Sequence, residues 1–124
     1  MHVLQVFNRR RDWGGEDLSI DDTITIIHNE GHAVEFWVRD LCQRESRACA
    51  KAMAFFSGIY SIASARRARK MIAERRPDVV HAHNLYPLLS PSVLREFSRS
   101  GVATVWHPHD QRPMCATGMS LHRG

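Results

Sequence analysis

The apolar positions fall into short blocks separated by polar, turn-rich stretches. Four blocks are compact and rich in β-branched residues, near residues 2–7, 33–38, 79–83 and 103–107. They lack a polar alternate row, which is the pattern of strands buried on both faces. Between the first two lies a longer stretch, 16–29. Ile20, Ile24 and Ile27 recur there at helical spacing, and Gly31 follows as a stop. Thr23 to Ile27 is β-branched throughout and would also suit a strand. The polar loop before it and the glycine after it favour a helix. Residues 48–56 form an alanine-rich helical segment broken at Gly58, and Ser61 is placed to cap a second helix running to Arg75. Ser90-Pro91 opens a further helix over 92–99, with Ser as N-cap and Pro in the first turn, and Gly101 closes it. The tail from Pro108 has little periodicity.

Strands alternating with helices predict an α/β fold: a partial Rossmann-like parallel sheet of about four strands with helices on both faces. Right-handed crossovers then give the order 2-1-3-4.

With 124 residues the chain holds one domain at most. Its formal charge of +4 suits an anionic ligand, a phospholipid surface or nucleic acid, and alone selects none of them. The cations are concentrated: Arg66, Arg67, Arg69, Lys70, Arg75 and Arg76 share one segment. It reads as a solvated helix face or as a basic surface for anionic lipid. Nucleic acid is not expected, because no binding motif or aromatic interleaving accompanies the charge. Cys42, Cys49 and Cys115 are odd in number and lack CxxC spacing, so free thiols in a reducing cytoplasm are expected. No apolar run approaches the roughly 18 residues of a membrane span.

In an open α/β sheet, ligands bind beyond the C-terminal ends of the strands. Gly14 and Gly15 follow the first strand, His81, His83 and Asn84 end the third, and His107, His109 and Asp110 end the fourth. The glycines fit a flexible turn or a loop that lets an anion approach a helix N-terminus. His81 and His83 point to one face at period 2, and Pro108 is expected to disturb the same alternation between His107 and His109. Such pairs on adjacent strands have metal-ligand character, and a small metal-dependent hydrolase is the alternative reading. Cys115 has no evident activating base.

Three blocks carry a family resemblance. They are the first strand with Gly14-Gly15-Glu16-Asp17 and Asp21-Asp22-Thr23, the stretch RPDVVHAHNLYPLLSPSVL over 76–94, and Gly101 through His109-Asp110 to Cys115-Ala116-Thr117-Gly118. The chain resembles the N-terminal, acceptor-side domain of a glycosyltransferase of family 4, the retaining two-domain GT-B type. The resemblance implies transfer of a sugar from a nucleotide-sugar donor to a glycan or lipid-linked acceptor, as in polysaccharide biosynthesis. It also implies no metal or other cofactor. His109 and Asp110 become the catalytic candidates. Gly14, Gly15, Glu16, His83 and Asn84 become substrate-binding candidates, and Arg66, Arg67, Arg69 and Lys70 a peripheral contact with the inner face of the membrane. Family members run to several hundred residues and bind the donor mainly in a C-terminal domain. The chain is therefore expected to be an incomplete N-terminal domain, a fragment inactive alone, or a non-catalytic binding fragment. Trp106-His107-Pro108, Gln111, Pro113 and Ala116 depart from the usual family pattern around the fourth strand's exit.

Overall fold

A computed structural model of the chain describes residues 1–9, 14–40, 60–85 and 89–109. The alanine-rich segment 48–56, Trp13, Asp110, all three cysteines and the tail lie outside the described residues. The elements are β1 (His2–Arg9), α1 (Gly15–Asn29), β2 (Ala33–Asp40), α2 (Ile62–Arg75), β3 (Val79–Ala82), α3 (Ser92–Arg99) and β4 (Ala103–Trp106). The four strands form one sheet in the order β2-β1-β3-β4, and every pairing is parallel. This is the expected fold and order.

The β-branched run inside α1 is helical. Thr23 and Thr25 donate their hydroxyls back to the carbonyls of Ser19 and Asp21, at 2.7 and 2.8 Å, so neither competes for the chain's own amides. At the start of α1, Asp17 accepts from the Gly14 N–H at 3.0 Å. This is the return half of a capping box, since Gly14 has no side chain to supply the other half. Gly31 and Gly101 follow α1 and α3 at φ 77° and 78°, a region open to glycine at little cost. Ser61 caps α2 through its Oγ, which accepts from Ser64 N–H at 3.2 Å. Arg76 closes α2 in the same left-handed region, φ 47°, just before Pro77. The helix over 92–99 has its expected bounds, and only its cap differs from the Ser-Pro reading. Pro91 is the flanking residue, and Ser90 accepts from Ser92 N–H at 3.3 Å.

Residues paired in register share a face of the sheet. Leu4, Val6, Val80 and Ala82 lie on one face with Trp37. There they join Ala68 and Met71 of α2 and Val93 and Phe97 of α3 in the hydrophobic core. Trp37 meets Phe97 edge-on, 6.4 Å between ring centroids. The β1-to-β2 step runs opposite to the steps that reach β3 and β4, so right-handed crossovers put α1 on the other face. Of its isoleucine stripe only Ile20 is buried. No described helix is long and apolar enough to cross a membrane.

Candidate functional site

The face opposite the core carries the polar residues. Gln5 of β1 pairs in register with His81 of β3, which pairs with Val105 of β4. Alternation places His83 beyond His81 on the same side, and the ladder continues through His83 N–H to the Val6 carbonyl at 2.9 Å and His107 N–H to the Ala82 carbonyl at 2.8 Å. His107 thus comes alongside His83. Pro108 does not break the row, for His109 stacks on His107 with ring centroids 4.3 Å apart. His81 and His83 are 4.2 Å apart by the same measure, and Phe7 meets His83 edge-on at 6.2 Å.

Gln5 and His83 are completely buried. The Gln5 carboxamide oxygen lies 2.8 Å from His83 Nε2, and its nitrogen 3.4 Å from His81 Nδ1. An amide oxygen only accepts, so His83 carries its proton on Nε2 and presents a bare Nδ1. That atom is 2.9 Å from His109 Nε2. Burial, and then the neighbouring rings of His81, His109 and His107, push the His83 pKa down to about 3. Burial and the rings of His107 and His109 lower His81 as well. Both are neutral imidazoles near pH 7.

The α1 N-terminus meets the same end of the sheet. Asn84 donates to the Glu16 carboxylate at 3.2 Å, and its carbonyl accepts from Asn8 N–H at 3.4 Å. Gly14 and Gly15 are exposed, and a Cβ built on either would touch nothing within 4 Å. Gly14 is extended, φ −136°, so no backbone demand explains glycine there. The structure therefore brings Glu16 to Asn84 and His83 to His109. Asp110 lies outside the described residues.

Glycosyltransferase family 4 is the family whose sequence profile matches, over residues 13–123. The chain belongs to glycosyltransferase family 4. No curated protein and no solved structure matches the chain. In this family 4 chain, two site residues carry no signal in the sequence. Gln5 sits inside an apolar strand block, and nothing local reveals that it faces histidines. Asn8 is the penultimate residue of β1, and both polar atoms of its buried side chain lack a hydrogen-bond partner among the described residues. Such an orphaned amide calls for a partner, and a ligand at the strand ends is one.

The basic segment is less free than its composition implies. Arg69 pairs with Glu96 at 3.1 Å, Lys70 with Glu74 at 3.6 Å, and Arg75 with Glu35. Arg66 and Arg67 are exposed on α2.

Proposed function

We propose that this chain forms the acceptor-side wall of a glycosyl-transfer site, where a sugar passes from a nucleotide-sugar to a glycan or lipid-linked hydroxyl. The observation that carries this is the link between Glu16 and Asn84, which ties the α1 N-terminus to the β3 exit beside the His83–His109 pair. Free N–H groups at a helix N-terminus favour an anion such as the donor diphosphate. His109, held by His83, is suited to orient an acceptor hydroxyl, and Asn8 has a donor and an acceptor without a partner among the described residues to offer a sugar. In the reaction the acceptor oxygen bonds to the anomeric carbon, the bond from that carbon to the nucleotide phosphate oxygen breaks, and the hydroxyl proton passes to the departing phosphate.

Positioning supplies much of the rate of such a step, and it needs donor and acceptor gripped together. Among the described residues the α1 N-terminus offers a nucleotide-sugar a few backbone N–H groups, and in this reading transfer uses a donor-binding domain acting with them. The exposed Arg66 and Arg67 suit work at an anionic membrane surface, reached from the cytoplasm. Calorimetry of the 124-residue polypeptide with UDP- and GDP-sugars tests this reading. Binding in the millimolar range or weaker, about −4 kcal/mol or less favourable, and no turnover are expected. Micromolar binding or turnover by the polypeptide alone would overturn the division of labour.

A further inference from the structure

We propose that His81, His83 and His107, joined by His109, form a zinc-binding site that ties the exit of β3 to the exit of β4. The inference goes beyond the glycosyl-transfer reading, and the two make opposite demands on His109: a zinc held at its Nε2 takes the atom that would orient an acceptor, so the zinc-loaded chain and the transferring chain are distinct states. One ring nitrogen from each of His81, His83 and His107 lies within 4.8 Å of the others. An ion at the centre of such a triangle is about 2.8 Å from each nitrogen at most, and a zinc–nitrogen bond is about 2.0–2.1 Å. Small ring rotations close that gap. His109 Nε2 is 2.9 Å from His83 Nδ1. Two tetrahedral zinc ligands stand roughly 3.3 Å apart, so this pair has only to open slightly to admit the ion between them.

The second layer is built as well. A ligating histidine is normally held by a hydrogen bond on its other nitrogen, which fixes the ring and the tautomer. Buried Gln5 does this for His83, accepting from Nε2 at 2.8 Å and leaving Nδ1 to face the cluster. The donor set is all imidazole. That suits zinc and its transition-metal neighbours, and not calcium or magnesium, which take oxygen ligands. Position is set by topology: period 2 puts His81 and His83 on one face, and the β3–β4 register lays His107 beside them.

The test uses the full 124-residue chain, stripped with chelator and then dialysed against zinc alone. One zinc per chain should be retained, the thermal midpoint should rise by roughly 5 °C or more, and cobalt in its place should show the visible bands of a tetrahedral site. His107→Gln removes a ligand whose side chain is exposed, so the fold is preserved even if His83→Ala fails to fold. It should abolish retention and the thermal shift. Gln5→Leu should weaken binding roughly 10-fold or more by loosening His83. His32→Gln, outside the cluster, should change nothing. No retained zinc would overturn the proposal, as would retention that survives both His107→Gln and His81→Gln.

Discussion

The two faces of the sheet are made by the same strands and differ in almost every other respect. On one, Leu4, Val6, Val80 and Ala82 are fully buried in one apolar cluster with Phe97 and Val93. On the other, the intervening residues are Gln5, His81 and His83, with His107 beside them and Val105 half exposed. A strand two residues per repeat thus serves two purposes at once. The apolar cluster takes Leu4, Val6, Val80 and Ala82 from the even-numbered row, and the imidazole row takes His81 and His83 from the odd-numbered one. The odd row can hold buried polar groups because they satisfy one another: Gln5 meets two rings, and His83 meets Gln5 and His109.

Removing the ring that anchors the dry face is the hardest blow to this contrast. Phe97→Ala should lower unfolding free energy by about 3–5 kcal/mol, read from urea titration, because the truncated residue is wholly buried and touches Trp37. Val105→Thr on the opposite face should cost under about 0.5 kcal/mol. Equal losses would mean that the faces do not divide the work as described.

The histidine face should reveal itself through pH. An unfolded histidine takes up a proton near its ordinary 6.5, whereas folded His83 resists until about 3. Between those values the unfolded chain binds more protons, so stability falls as pH falls. With chelator present, going from pH 7 to 5.5 should cost about 1 kcal/mol from His83, and His81 acts in the same direction. This window lies above the carboxylate range. Urea midpoints that do not move between the two values would sink the idea.

The smallest effect belongs to neither face. Arg66→Gln with Arg67→Gln should leave stability unchanged and weaken partition onto anionic vesicles by at most about 1 kcal/mol per charge, less at high salt. Sedimentation that is equal for neutral and anionic vesicles would remove the membrane contact from the functional picture.

Much of the fold could be read from local chemistry. Val-rich blocks marked the strands, Ser61 marked the start of α2, and Gly31 and Gly101 marked helix ends where the chain turns left-handed. Alternation alone predicted that His81 and His83 share a face. What escaped the sequence were contacts between distant positions. Gln5 and His83 are 78 residues apart, and nothing near either announces the bond. The same holds for the basic segment. Its cations read as one free surface, yet Glu35 of β2 and Glu96 of α3 arrive from elsewhere to engage Arg75 and Arg69. The Ser-Pro signal placed α3 correctly over 92–99 but named the wrong cap, because Pro91 is the flanking residue and Ser90 accepts from Ser92 N–H from ahead of it.

Among the described residues β4 pairs with β3 through four residues and no strand lies on its far side. A slip of one position would turn Trp106 toward the histidines and send His107 into the oily layer. Misfolding by that single step would therefore spoil the imidazole row and the core together. Any agent that clasps His107 to His83 would act as a proofreader of strand alignment, favouring the correct pairing before the rest of the edge has settled.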